Sequence, residues 1–298
     1  MDERDKGPLW GDAQNLSRRR FLSQAAMLAG SCVLSCELEA QESNATYGVP
    51  VVAALDDKNV IHGKVTFKSG TEDLDAYLAR PNKKGSFPIV VVIAGNPPYE
   101  EYIRNMSAML AQIGFVGIAP NIYSLQKDAT TTEQSRKLLA EKTTDAKIFR
   151  DIQSSINYAK AEGFGKSNHV AITGFCFGGR CALMFAATYP NEVRAVVPFY
   201  GNLKTPAFAN RKLDPIDVAT TIRVPVQGHY AEHDSEIQLT QLKAFEAMLK
   251  KNNRHAQIFT YAGASHGFFA YTRPTYDADA SKVAWQRMSA FLKKYLGH

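Results

Sequence analysis

The sequence has no uninterrupted apolar run near the roughly 18 residues that would cross a bilayer. It has no block of about five or six like charges, and its formal net charge of +6 is spread along the chain, which gives nucleic-acid binding little footing. Cysteine is scarce. Four in 298 residues, none in a CxxC pair, argue against both a disulfide scaffold and a zinc ribbon. No internal repeat and no low-complexity linker divides the chain. What is present is ordinary globular composition, 45% apolar and 21% charged, which excludes wholly disordered and collagen-like classes.

The N-terminus reads as an address. Ser17-Arg18-Arg19-Arg20-Phe21-Leu22 leads into a short, weakly apolar stretch from Phe21 to Leu34, the pattern of a twin-arginine export signal. A basic cap on a short core helix is the competing reading. The expected division is a leader over 1–40, an N-terminal extension over 41–59 and a single domain over 60–298, exported to the periplasm with the export machinery as the leader's partner. Cys32 and Cys36 lie in or just after the apolar stretch, but Val33-Leu34-Ser35-Cys36 is a poor lipoprotein cleavage site, so lipid anchoring is the lesser alternative. No stable membrane insertion is expected once the leader is gone. Its loss would take five of the 35 basic and six of the 29 acidic residues, leaving +7 and only Cys176 and Cys181. On one helix, side chains five apart diverge by about 140°, which is poor geometry for a disulfide.

Beyond the leader, strand and helix patterns alternate. Val60–Phe67 and Leu74–Ala79 read as an antiparallel pair near a sheet edge, and Phe87–Ala94 as a strand buried on both faces. A helix over 102–113, a strand over 115–119 and a helical stretch over 131–162 follow. Further strands are expected over 168–173, 193–199, 224–228 and 256–261, with helices over 178–187, 237–249 and 278–296. This order implies an α/β fold with a doubly wound, mostly parallel sheet flanked by helices.

Gly174-Phe175-Cys176-Phe177-Gly178-Gly179 stands between a strand and a helix. This is the G-x-nucleophile-x-G turn with cysteine as the nucleophile. Small residues two before and two after Cys176 let the turn close. The helix N-terminus then favours thiolate, and the Phe177 N–H faces the place where an oxyanion would form. The competing reading is a buried, inert cysteine beside a glycine turn, and core packing is the expectation for Cys181.

A thiol nucleophile needs a base and the base an orienting acid. His266, after the strand at 256–261, and Asp234, after the strand at 224–228, complete the chain order nucleophile–acid–histidine, at separations of 58 and 32 residues. Glu232 and Glu236 are rivals for the acid, and Asp234 is preferred from its place in the turn. His229 and His233 have a zinc-like i, i+4 spacing, but a loop there would remove its meaning, so both are read as structural or solvated. Phe175, Phe177, Tyr123, Phe199, Tyr200, Phe268 and Phe269 offer an aromatic pocket, with about half of them expected to fill core instead.

Gly-Phe-Cys-Phe-Gly-Gly-Arg at 174–180, Tyr-Ala-Glu-His-Asp at 230–234, Ser-His-Gly-Phe at 265–268 and the stretch from Thr272 to Arg287 together resemble the dienelactone hydrolase family, over roughly residues 60–297. The resemblance implies a cofactor-free α/β-hydrolase with Cys176 as nucleophile, His266 as base and Asp234 as its orienter. Phe177 and Asn96 N–H groups would form the oxyanion hole, and Tyr123, Phe268 and Arg273 would contact substrate. Gly95 stands where the family type has a glutamate beside the resting thiol. Leu125 and Ala270 stand where it has arginines for the dienelactone carboxylate. The expectation is therefore hydrolysis of a small-molecule ester or lactone other than the acidic dienelactone, with no metal or organic cofactor. The alternatives are a non-catalytic binding protein on the same fold and a thiol redox protein using Cys176 and Cys181.

Overall fold

The computed structural model describes residues 54–95, 101–124, 141–205, 211–253 and 255–297, with Gln134, Lys137 and Leu138. The leader and Asn96 lie outside the described residues, as does Leu125. The strands are β1 (Val60–Ser69), β2 (Glu72–Pro81), β3 (Phe87–Ile93), β4 (Val116–Pro120), β5 (Gly165–Phe175), β6 (Ala195–Phe199), β7 (Val226–His233) and β8 (Ala256–Ser265). The described helices are α1 (Glu101–Gln112), α2 (Asp145–Ala161), α3 (Phe177–Thr188), α4 (Pro215–Val218), α5 (Leu239–Asn252) and α6 (Ala278–Leu296).

The strands form one sheet in the order β1-β2-β4-β3-β5-β6-β7-β8. β1 and β2 pair antiparallel at one edge, β2 meets β4 antiparallel, and every later pairing is parallel. The α/β class and the antiparallel edge pair follow from hydrophobic patterning. β3 is buried at all seven positions, as a β-branched run between two sheet faces requires, whereas β1 alternates in exposure as an edge strand does. The order reverses at β3, whose neighbours are β4 and β5. The crevice beyond the carboxyl ends of β3 and β5 is thus the switch point where open α/β sheets bind ligands.

Three expectations differ from the structure. The helical stretch over 131–162 is interrupted: Thr143 and Thr144 are non-helical, and α2 starts afresh at Asp145 because the Thr144 hydroxyl accepts the Lys147 N–H at 3.2 Å. β7 does not stop at Gly228 but runs to His233, and β8 continues past Tyr261 to Ser265, because the two extended segments pair with each other. The β7 extension makes His229 a strand residue rather than a loop residue. The short helix α4 was not anticipated; Asp214 and Asp217 close it as a capping box with Pro215 in the first turn.

The core below the switch point contains charge. Arg180 on α3 is fully buried. Its guanidinium grips Asp145 at the start of α2 through two bonds of 2.6 and 2.9 Å, and donates to the Leu213 carbonyl at 2.7 Å and to Thr205 Oγ1 at 2.9 Å. A bidentate arginine–carboxylate pair with its remaining protons satisfied is the arrangement in which a buried charge is tolerated. It ties the helix that follows the β5 turn to the helix before β5. Truncation of Arg180 would leave Asp145 with Arg211 as its partner, whose Nε lies 3.5 Å from the same carboxylate, and would remove the tie to α3.

Glycine is demanded where backbones meet at the turn. A Cβ on Gly174 would fall 2.2 Å from the Gly178 carbonyl oxygen, and one on Gly178 would fall 2.3 Å from the Ile93 carbonyl oxygen. At Gly63 on β1 a Cβ would meet nothing within 4 Å. Urea unfolding of Gly174→Ala should show a loss of about 3 kcal/mol or outright failure to fold, because both obstructing groups are main chain. Gly63→Ala should stay within about 0.5 kcal/mol of the parent. Equal midpoints for the two variants would contradict this account.

Candidate active site

β5 ends at Phe175, and α3 begins at Phe177, so one residue makes the whole bend. That residue, Cys176, sits at φ 54° and ψ −122°, a left-handed conformation rare outside glycine. Its N–H donates to the Phe199 carbonyl at 3.0 Å, and its own carbonyl accepts the Arg180 N–H at 3.1 Å. The side chain is thereby turned out over the sheet's carboxyl end, 8% exposed. Phe177 is buried, with the Arg180 and Arg211 guanidinium carbons 5.7 and 5.3 Å from its ring centroid, so the first residue of α3 is held by cation–π contacts.

His266 follows directly on β8. Its Nδ1 lies 2.9 and 3.0 Å from the two Asp234 carboxylate oxygens, and the Asp234 side chain is 1% exposed. Asp234 Oδ1 also accepts the N–H groups of Glu236 at 2.8 Å and Ile237 at 3.0 Å, which fixes the loop after β7. His266 Nε2 is buried without a hydrogen bond and is turned toward the cysteine sulfur. Burial acts to lower the His266 pKa, but the bond to Asp234 and the interaction with the Cys176 thiol outweigh it and raise it to about 10.

The sequence reading missed two side chains at the sulfur. Asn202, in the loop after β6, is buried, and its Oδ1 lies 3.6 Å from Sγ. Glu236, weighed only as a rival to Asp234, is on the other side of the ring. Its Oε2 lies 3.8 Å from Sγ and 3.7 Å from His266 Nε2, and it accepts the Asn202 Nδ2–H at 3.0 Å. Asn202 was detectable in principle, because it follows a parallel strand at the end where ligands gather. The sulfur, the imidazole and the Glu236 carboxylate present ligating atoms all within 4.8 Å of one another. A soft divalent ion would use that donor set, and it would tie up the same sulfur and ring nitrogen.

The other candidates are dispersed. Tyr123 is buried with its hydroxyl 3.4 Å from the Ala94 carbonyl, and burial holds its pKa well above the usual phenol range. Phe268 is fully buried and packs on Tyr200 and Tyr261, with ring centroids 5.5 and 5.0 Å apart, so it braces the site from within the core. Arg273 is half-buried against Gly267 and hydrogen-bonded along its own turn. Phe175 stacks on Phe199, and Phe269 packs tilted against the first and edge-on against the second. Of the rival residues, Glu232 accepts the Gly263 N–H at 2.9 Å, away from the imidazole. His229 is a core histidine: Nδ1 meets the Tyr261 hydroxyl at 2.8 Å, its ring stacks on Phe199, and burial lowers its pKa to about 3. His233 is exposed. Cys181 is fully buried as a free thiol, and burial pushes its pKa up to about 12, so it is a packing residue.

Residues 74–296 match the model of the dienelactone hydrolase family. The chain belongs to that family. Membership makes it a hydrolase of the ester- and lactone-cleaving kind. A Yersinia pestis protein provisionally named carboxymethylenebutenolidase is 34% identical over 239 residues, covering 79% of this chain and 89% of that one. A Methylorubrum extorquens protein with the same provisional name is 28% identical over 287 residues, covering 95% and 97%. The crystal structure of a provisionally named dienelactone hydrolase from Klebsiella pneumoniae superposes with a TM-score of 0.74 at 33% identity, covering 79% of this chain and 99% of that one.

The raised His266 pKa carries a stability consequence. A histidine that binds its proton more tightly folded than unfolded stabilises fully below the unfolded value of 6.5 and loses that contribution as pH rises through about 10. The difference in urea midpoint between the parent and Asp234→Asn should therefore narrow from pH 6.5 to pH 10. A difference that widens over that range would refute the assignment of the shift to this pair.

Proposed function

We propose that the protein hydrolyses small esters or lactones by acyl transfer through Cys176, with His266 as general base and acid and Asp234 as the group that orients it. One observation carries this reading: a buried imidazole anchored to Asp234 through Nδ1 turns its otherwise unbonded Nε2 to a sulfur held on a strained bend.

The chemistry follows from the arrangement. The Cys176 proton resides on His266 Nε2, and the sulfur attacks the substrate carbonyl carbon as thiolate. An imidazole whose pKa lies well above its usual range keeps that proton until the tetrahedral intermediate collapses. It then gives the proton to the departing alkoxide, leaving a thioester on Cys176. His266 next takes a proton from water, the hydroxide equivalent attacks the thioester, and the sulfur leaves as thiolate. The Phe177 N–H, the first free donor of α3, supports the oxyanion, a contribution of about 3 kcal/mol for one such donor. The family resemblance supports the Asn96 N–H as the second. The twin-arginine pattern at Arg18-Arg19-Arg20 supports export of the chain to the periplasm.

The test is rapid-mixing release of p-nitrophenol from p-nitrophenyl acetate. A burst stoichiometric with enzyme is expected for the parent and none for Cys176→Ala, with Asp234→Asn slowed roughly 10³-fold because the ring loses its orientation and favoured tautomer. Equal rates for the parent and Cys176→Ala would overturn the reading.

A further inference from the structure

Glu236 is fixed twice. Asp234 Oδ1 accepts its backbone N–H at 2.8 Å, and Asn202 Nδ2 donates to its side chain at 3.0 Å. Its carboxylate is therefore held in place although the side chain is 46% exposed. With Oε2 only 3.8 Å from Sγ, a carbonyl carbon within bonding distance of the sulfur is at most about 6 Å from that negative charge. Whatever Cys176 attacks is attacked in the field of Glu236.

Among the described residues, the ion pairs beside the site do not cancel it. Behind the ring, Asp234 is matched by the His266 imidazolium, so Glu236 is the surplus charge on that side. On the α3 side, Arg180 bonds Asp145 and lies 4.0 Å from Asp214, and Arg211 also leans on Asp145, so two cations face two carboxylates. Ala270, one turn beyond His266, is fully buried and brings no cation.

We propose that Glu236 is a specificity-determining residue that restricts the site to neutral acyl groups and excludes substrates with a carboxylate near the scissile carbonyl. This rests on the acyl-transfer reading of Cys176. A substrate carboxylate one to three bonds beyond that carbon lies roughly 6–9 Å from Glu236, and like charges at that separation in a half-exposed site of effective dielectric about 30 bias rates about tenfold. Interactions of this kind weaken with added salt.

The charge at the sulfur can be read without turnover. Iodoacetamide and iodoacetate alkylate the same thiolate with the same leaving group and differ in charge. Their rates at Cys176, followed by peptide mass mapping at low ionic strength, give a neutral-to-anionic ratio from which any change in thiolate fraction cancels. Glu236→Gln should lower that ratio about tenfold, and Glu246→Gln, a charge-matched change on α5, should leave it as in the parent. In parallel, the kcat/KM ratio of p-nitrophenyl acetate to mono-p-nitrophenyl succinate should fall by a similar factor in Glu236→Gln. An alkylation ratio unchanged in Glu236→Gln, or equally changed in Glu246→Gln, would overturn the proposal. Hydrolysis with an unchanged ester ratio would overturn the exclusion and leave the Cys176 reading standing. A shifted alkylation ratio with no ester hydrolysed would instead defeat the Cys176 reading while supporting the charge effect.

Discussion

A single non-glycine residue in a left-handed conformation turns β5 into α3. Such a conformation costs about 1–3 kcal/mol and persists only where the surroundings over-determine it. Here they do. The Cys176 N–H is bonded to the end of β6, Gly174 and Gly178 close the bend at backbone contact, and the buried Arg180 pins the helix it starts to the head of α2. The strain at this bend falls on the residue whose side chain must leave the sheet surface, and Tyr200, packed on the His266 ring, shares a positive φ of 37°. The sulfur's position over the sheet's end and its place at a helix N-terminus both follow from that one bend.

The second organising element is Asp234. Its carboxylate bonds the imidazole and also the two N–H groups that shape the loop beyond β7. One buried acid thus positions both the ring and the backbone of Glu236. The imidazole is left between Asp234 and the Cys176 sulfur, and its interactions with these two groups hold its proton firmly. Asn202 joins the group from β6, so the sulfur is surrounded by side chains from the ends of β6, β7 and β8.

Position 95 lies against the bend. The chain belongs to the dienelactone hydrolase family over residues 74–296. At position 95 a Cβ would lie 3.0 Å from the Phe175 carbonyl oxygen and 3.1 Å from Cys176 Cβ, so glycine there leaves the backbone close against the nucleophile. The carboxylate beside the sulfur comes instead from Glu236, on a loop after β7.

Much of this was legible in the residues alone. The α/β class followed from the buried run at 87–93, and the bend from glycines on either side of Cys176, because those patterns are local and a strand–helix junction leaves few alternatives. Asp234 and His266 followed from their order and spacing along the chain. The interruption at Thr143–Thr144 and the extension of β7 to His233 were not legible, because capping and cross-strand pairing outweigh local hydrophobic pattern. Phe268 matches a motif yet lies wholly inside the core. The carboxylate of Glu236 could be set beside the sulfur only once β6 and β7 were packed next to each other. Chain order records which chemical groups are available, and the distances among them arise from the pairing of strands far apart in the sequence.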